Sequence, residues 1–81
     1  MGKIIYMPRM ELVKDESTVE DVWQDWGIWD DENGAVEYAK KLKKEIKEGK
    51  WKDREQEGYT LEAAVEVIKG DSWSIIEIIE V

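Results

Sequence analysis

The chain opens with a segment in which apolar residues recur at every second position. The residues that share one face of this segment are Ile4, Tyr6, Met10 and Leu12. This period of two predicts a β-strand over residues 3–13. Pro8 falls on the same face and has no backbone N–H, so it favours an edge position or a bulge.

A helical signal follows the first strand. Residues 17–20, Ser-Thr-Val-Glu, have the S-x-x-E form of a capping box, in which the Ser17 hydroxyl and the Glu20 carboxylate cap each other's backbone amides. Apolar residues then recur at helical spacing, and they are Val19, Val22, Trp23 and Trp26. Gly27 stands where a helix commonly ends. The pattern predicts a short first helix between Ser17 and Gly27.

A second helical stripe begins after a polar connector. Its apolar positions are Ala35, Ala39, Leu42 and Ile46. Asn33 or a nearby aspartate is the expected N-cap, and Gly49 ends the helix after about Glu48. Acidic residues near the start and lysines near the end match the helix dipole. The Asn33-Gly34 pair is also a hairpin-turn signal, but the stripe favours the helix.

The last third of the chain allows two interpretations. Residues 61–68 fit a third helix capped by Thr60 and stopped by Gly70, followed by a final strand over residues 73–81. The same residues also alternate, and Gly70-Asp71 is an acceptable two-residue hairpin loop. With that loop, one face of the hairpin carries Leu61, Ala63, Val65, Val67, Ile76 and Ile78. We favour the hairpin because this face is a coherent core surface.

The elements combine into an α+β fold of order β-α-α-β-β. We expect a three-stranded, mostly antiparallel sheet with both helices packed on one face. The opposite face is then uncovered, and its apolar residues are Ile5, Met7, Ile75 and Ile79 among charges. Such a face is a site for a partner or a second copy of the chain. Residues 1–81 are expected to form a single soluble domain.

The charge is acidic overall and unevenly distributed. The 81 residues carry a formal net charge of −8, with 20 acidic and 12 basic side chains. Residues 11–37 hold ten acids against Lys14 alone, whereas residues 38–54 form a basic stripe. Glutamates interrupt that stripe and acidic segments flank it, so direct nucleic-acid binding is disfavoured and a solvated helix face is the simpler interpretation.

The residue types present exclude most catalytic chemistry. The chain contains neither histidine nor cysteine. This removes the commonest general base, the thiolate and hydroxyl nucleophile systems that need them, and the usual zinc ligands. We therefore predict a protein that is not an enzyme, with no cofactor and no metal site. The lack of cysteine fits a reducing compartment, and we expect a cytoplasmic protein.

Two acidic motifs are candidate chemical sites. Asp21 and Asp25 are spaced i, i+4, but a catalytic carboxylate pair needs a desolvated pocket, for which a domain of this size has little room. Residues 30–34, Asp-Asp-Glu-Asn-Gly, are rich in oxygen ligands. An EF-hand loop starting at Asp30 would need glycine and glutamate where Ala35 and Lys41 stand. Helix capping is the better interpretation, and a small enzyme using carboxylates alone is the least favoured function.

The five tryptophans are more informative than the acids. Trp23 and Trp26 lie on the predicted stripe and are core candidates, while Trp29 and Trp51 stand among charged residues outside the helices. Aromatic residues flanked by charged residues are favoured as anchors of protein–protein interfaces. Packing over the ends of a small core is the commoner role of such residues.

These features favour a small regulator or inhibitor that binds another protein with a basic surface. Carboxylates on a rigid element can imitate the phosphates that a nucleic-acid-binding protein recognises. In size and charge alone, the chain is similar to phage proteins of the anti-CRISPR and anti-restriction kind. The predicted partner-binding residues are Glu20, Asp21, Asp25, Trp29, Asp30, Asp31 and Glu32. The alternative function is a structural module that forms a homodimer through its open sheet face.

Overall fold

The computed structural model describes residues 2–15 and 17–81. The elements in chain order are β1 (Ile4–Lys14), β2 (Thr18–Trp23), α1 (Glu32–Lys47), a 3-10 turn (Lys52–Arg54), β3 (Tyr59–Lys69) and β4 (Ser74–Glu80). The strands form one antiparallel sheet in the order β2-β1-β3-β4. The fold is a small α+β arrangement, but the prediction of a three-stranded sheet with two helices is wrong, because the sheet has four strands and a single α-helix packs on it.

The segment predicted as the first helix is strand β2. It pairs with β1 from Met10↔Trp23 to Lys14↔Thr18. Asp15 reverses the chain with a φ of 55°, and the Ser17 hydroxyl donates to the Asp15 carbonyl oxygen at 3.4 Å instead of capping a helix. The β-branched residues of this segment suit a strand. A helix of about nine residues is also marginal by itself, whereas pairing satisfies the backbone groups along the edge of β1.

The extended interpretation of residues 60–81 is confirmed, but the predicted hairpin register is wrong. The loop spans residues 70–73, so Lys69 pairs with Ser74 and Val65 pairs with Ile79. Gly70 is not a turn centre: its N–H donates to the Lys3 carbonyl oxygen at 2.6 Å, an approach that leaves no room for a Cβ. As a result Ile79, rather than Ile76 and Ile78, lies on the face beneath the helix.

Helix α1 begins and ends close to its predicted limits. Its N-cap is Asp31, one of the aspartates near Asn33, and the Asp31 carboxylate accepts from the Gly34 N–H at 3.0 Å. The buried stripe is the predicted one, with Ala35, Ala39 and Leu42 inside. The side chains that this stripe contacts on the sheet and its connector include Tyr6, Met10, Leu12, Leu61, Ala63, Val65 and Ile79.

The helix covers only part of the sheet. Sixteen residues of α-helix span about 24 Å, whereas the eleven residues of β3 span about 37 Å. The molecule is accordingly elongated, with extents of 44 × 23 × 17 Å. The hairpin tip between β3 and β4 therefore projects past the start of α1, and the opposite face of the sheet carries no helix among the described residues.

Candidate protein-binding surface

The sheet face opposite α1 carries no helix among the described residues, and we call it the open face. By strand alternation, it is formed by Ile5, Met7, Arg9, Glu11 and Val13 of β1, by Val19 and Val22 of β2 with the adjoining Gln24, by Thr60, Glu62, Ala64, Glu66 and Ile68 of β3, and by Ile75, Ile78 and Glu80 of β4. Ile78 takes the place predicted for Ile79, because the bulge near Ile68 shifts the register of β4. The open face thus combines apolar side chains with more carboxylates than cations.

A hydrogen-bonded cluster lies at the centre of the open face. Glu66 is 1% exposed and its carboxylate accepts from Arg9 Nη1 at 2.8 Å. Gln24 Nε2 donates to both Glu66 carboxylate oxygens, at 2.7 and 2.8 Å. Arg9 Nε also donates to Glu11 Oε1 at 3.2 Å. The cluster links β3, β1 and the end of β2, and it satisfies a buried charge on a face that no helix covers.

Few features of the sequence predict this cluster. Strand alternation places Glu66 on the polar side of β3, where a solvated carboxylate is the ordinary expectation. Arg9 lies diagonally across the sheet from it, which only the strand register reveals. Gln24 follows the segment that the sequence predicts to be helical. Because that prediction is wrong, it does not place Gln24 near β3.

The acidic residues predicted as the partner-binding site do follow one edge of the sheet. Glu20 and Asp21 lie on β2, and the connector then runs along β1, where the backbones of Trp29 and Tyr6 exchange two hydrogen bonds of 2.8 Å. Glu32 opens the first turn of α1. These carboxylates are therefore strung along an edge and a connector, not arrayed on one helix face.

Several of these residues already have structural roles. Asp25 pairs with Arg54 at 3.3 Å, Asp30 pairs with Lys3 at 2.8 Å, and Asp31 caps α1. The Asp21 carboxylate accepts from the Val22 N–H at 2.9 Å. In the described part of the chain, Glu20 and Glu32 have no such contact. The acidic run of residues 30–34 serves as the start of a helix, as its composition indicated.

Trp29 packs inward. Its indole N–H donates to the Trp26 carbonyl oxygen at 3.0 Å, and its ring lies 5.6 Å from the ring of Tyr38. It contacts the cluster formed by Ala35, Ala39 and Val65. These contacts favour a packing role over a free interface anchor.

Trp51 also has a packing role, around an arginine that the sequence did not single out. The Arg54 guanidinium carbon lies 4.6 Å from the Trp51 ring centre, 5.0 Å from that of Trp23 and 5.8 Å from that of Trp26. Trp51 Nε1 donates to Glu45 Oε1 at 3.0 Å. Arg54 Nη1 is buried and has no hydrogen-bond acceptor among the described residues, so the aromatic faces stabilise its charge.

The outer strand β4 and its turn are the most apolar exposed part of the molecule. Trp73 is 60% exposed, Ile75 52% and Ile78 38%, and Ile76 is exposed as well. The other edge strand, β2, carries acidic residues that discourage pairing, whereas β4 carries four isoleucines and no lysine or proline. An apolar outer strand of this kind is typical of an interaction surface.

A groove opens where β4 stops. The last paired residue of β4 is Glu80, opposite Ala64, so β3 extends past the end of β4 from Ala63 back to Thr60. The space beside this stretch holds about 300 Å³, and its walls are Lys43, Ile46, Thr60, Leu61, Glu62, Ala63, Glu80 and Val81. We call it the β3-end groove. Its volume is at the lower limit of sites for small molecules.

The charged side chains are divided between the two sides of the molecule. In the described residues, no group of three or more acidic side chains is arranged to hold a metal ion. The basic side chains of the 38–54 stripe lie mainly on the outer side of α1 and in the loop after it. The helix side is therefore positive, while the open face and the β2 edge are negative.

Comparison of the chain with family models finds no match, and no curated protein or solved structure matches it. Within residues 2–15 and 17–81, no helix has both the length and the apolar character needed to cross a membrane.

Proposed function

We propose that this protein is a non-enzymatic binding module for a partner protein with a basic surface. The observation that carries the proposal is the open face. This face has no helix over it among the described residues, and on β4 it carries the exposed Ile75 and Ile78 together with the exposed Glu80. Apolar side chains supply the binding free energy, and the surrounding carboxylates select a cationic partner.

The division of charge between the two sides of the molecule supports the orientation of this complex. Lysines of α1 point away from the sheet, while four carboxylates and one guanidinium occupy the open face. A basic partner is repelled by the helix side and attracted to the sheet side, so the charge pattern steers its approach. Occupation of a nucleic-acid-binding surface would make the module a regulator or inhibitor.

The test compares three variants that change the charge equally at different places. Glu62→Lys/Glu80→Lys alters the open face where β4 ends (the β4 variant), and Glu20→Lys/Asp21→Lys alters β2. Glu55→Lys/Glu57→Lys in the exposed loop before β3 is the matched control. Partners captured by cross-linking from cells are purified, and their dissociation constants are measured at low and high salt. We expect a basic partner whose affinity falls in the β4 variant and is unchanged in the control.

The result also locates the surface. If the β2 variant loses the partner and the β4 variant retains it, the acidic edge that includes Glu20 and Asp21 is the binding site. If no variant alters the affinity, or if the captured partner is itself acidic, the charge-selected binding proposed here is wrong.

A second candidate function is self-assembly through the same surface, because Ile75, Ile76 and Ile78 are exposed on one outer strand. Two copies would then bury these side chains against each other, in spite of the net charge of −8 on each. Light scattering over a range of concentrations tests this. A dimer that Ile75→Lys and Ile78→Lys convert to a folded monomer supports assembly, while a monomer at every concentration excludes it.

A further inference from the structure

We propose that the three tryptophans around Arg54 form an aromatic cage that binds a trimethylammonium group, and that the Arg54 guanidinium occupies this cage until such a ligand displaces it. We call Trp23, Trp26 and Trp51 the tryptophan cage. The cage packs against the cluster that contains Leu42, on the helix side of the sheet. This inference therefore concerns a different surface from the open face and is independent of the proposed function.

The walls of the cage are held by the fold without help from the cation between them. Trp23 is the last residue of strand β2. The Trp26 carbonyl oxygen accepts from the Trp29 indole N–H at 3.0 Å, and Trp51 Nε1 donates to Glu45 Oε1 at 3.0 Å. The rings of Trp26 and Trp51 meet at 85° with their centres 5.8 Å apart. Walls anchored in this way form a preorganised site, which lowers the cost of binding a ligand.

The space between the three rings suits a positive charge. The Arg54 guanidinium carbon lies 4.6 to 5.8 Å from the three ring centres, within the distance of about 6 Å at which the face of an aromatic ring attracts a cation. Asp25 adds a carboxylate beside the cage, 3.3 Å from Arg54 Nη2. Three indole faces and one nearby carboxylate thus favour a cation over a neutral group of the same size.

Arg54 is an imperfect occupant of this site. A guanidinium carries five N–H donors, but Arg54 Nη1 is buried and has no acceptor in the part of the chain that the structure describes. A buried donor without an acceptor lowers the stability of the folded state. The carboxylate of Asp25 that pairs with Nη2 is 61% exposed, and exposed ion pairs contribute little. A cation that matches the cage better therefore displaces Arg54 at small cost.

The cage selects a cation that carries no N–H groups. A trimethylammonium group is positive but has no hydrogen-bond donor, so none is left unpaired between the indole faces. The ammonium group of lysine has three N–H donors, for which the rings supply no acceptor. Aromatic cages are the usual protein sites for quaternary ammonium groups. The ligand is therefore a trimethylammonium group, carried by a small molecule such as choline or by a trimethylated lysine of a protein.

Arg54 is placed to open the cage by rotation of its own side chain. It stands at the end of the 3-10 turn in the loop between α1 and β3, and its side chain is 22% exposed. The Arg54 backbone N–H donates to the Trp51 carbonyl oxygen at 3.0 Å, and rotation of the side chain leaves this bond in place. The three rings are thus exposed to a ligand without loss of a strand or helix hydrogen bond.

The test is a titration of the protein, labelled at its indole nitrogens, followed by NMR of the indole N–H signals. The probe is choline, and the matched control is its neutral isostere, in which a tert-butyl group replaces the trimethylammonium group. Trp73 is 60% exposed and lies outside the cage, so its signal is the internal reference. We expect choline at millimolar concentration to shift the three cage signals saturably, and the neutral isostere to leave them unchanged.

Removal of the internal cation makes the result specific. Arg54→Ala should bind choline about 2- to 30-fold more tightly than the unmodified protein, as expected when one competing cation–aromatic interaction is lost. Lys52→Ala, which removes an exposed cation from the same turn, should leave the affinity unchanged. The signals of Trp29 and Trp73 show whether each variant is folded. The titration of the unmodified protein needs no variant, so it tests the cage even if Arg54→Ala does not fold.

Capped peptides identify the carrier of the trimethylammonium group. A tripeptide with a central trimethyllysine is compared with the same tripeptide carrying unmodified lysine, and with choline. Tighter binding of the trimethyllysine peptide than of choline supports a protein ligand, whereas tighter binding of choline supports a small molecule. In both cases the unmodified lysine peptide should bind more weakly than the trimethyllysine peptide.

Three results would overturn the inference. In the first, choline does not shift the three cage signals of the unmodified protein. In the second, the neutral isostere or the unmodified lysine peptide binds as tightly as its trimethylammonium counterpart, so the cage does not select this group. In the third, folded Arg54→Ala binds choline no more tightly than Lys52→Ala, so Arg54 is not the occupant that the ligand displaces.

Discussion

Removal of the Glu66 side chain tests the account of the open face most directly. Glu66→Ala removes a carboxylate that is 1% exposed and that accepts one hydrogen bond from Arg9 and two from Gln24. Breaking a buried ion pair by removing one partner costs about 3–5 kcal/mol. Here the cost is smaller, because Arg9 keeps Glu11 at 3.2 Å and Gln24 can turn to water. We expect a loss of about 2–3 kcal/mol.

The magnitude matters because a domain of 81 residues has a total stability of only about 4–12 kcal/mol. The assay is urea unfolding followed by tryptophan fluorescence and circular dichroism. Glu57→Ala, in the exposed loop, is the control and should stay within about 0.5 kcal/mol of the unmodified protein. Glu66→Gln should cost less than Glu66→Ala, since the amide oxygen still accepts from Arg9. It should still lower the stability, because its NH₂ group faces the Gln24 donor.

A double-mutant cycle separates the ion pair from simple burial. Replacement of both Arg9 and Glu66 by methionine removes both charges and keeps most of the volume. We expect this double variant to be more stable than either single one, as for other buried pairs replaced by apolar residues. The cluster does not stabilise the sheet as described if Glu66→Ala costs less than about 0.5 kcal/mol. The same conclusion follows if the double variant is less stable than both Arg9→Met and Glu66→Met.

Three further predictions concern the helix side. Leu42→Ala should cost about 2–5 kcal/mol in urea unfolding, because Leu42 is 1% exposed between α1 and the sheet; a smaller cost would mean that α1 does not pack as described. Asp31→Ala should cost about 1 kcal/mol, and Asp31→Asn should restore most of it, because the amide oxygen still accepts from the Gly34 N–H; equal losses would exclude capping. Arg54→Met should change the tryptophan emission of the folded protein by removing the cation from three indole rings, whereas Lys50→Met should not, and identical spectra would contradict the stacking.

Sequence periodicity predicted the elements that have strong regular patterns. The apolar stripe of α1 and the alternation of β1 are long enough to be decisive, whereas the residues of β3 also fit a helix and are assigned to a strand only through the predicted hairpin. The prediction for Thr18–Trp23 is wrong because these six residues overlap a capping box over residues 17–20 and a helical stripe over residues 19–26, yet they pair with β1. Local propensity contains no information on whether the backbone groups along the edge of β1 have a pairing partner. Pairing with β1 is a tertiary interaction, and it outweighs the local helical pattern.

The candidate surface was predictable in kind but not in position. An uncovered face with charges and isoleucines was expected, and Ile5, Met7 and Ile75 lie on it. The predicted register of the β3–β4 hairpin is wrong because it treats Gly70 as part of a two-residue turn. The absence of a side chain at Gly70 instead allows its backbone to approach Lys3 closely.

The strand order has a consequence for how the chain folds. The β1–β2 and β3–β4 pairs are hairpins of neighbouring segments, but the central pair joins β1 to β3 across all of residues 15–58. Closing a loop of that length costs conformational entropy before any contact between the hairpins repays it, so docking of the two hairpins is the expected rate-limiting step. During synthesis, one edge of β1 therefore remains unpaired until β3 has emerged from the ribosome.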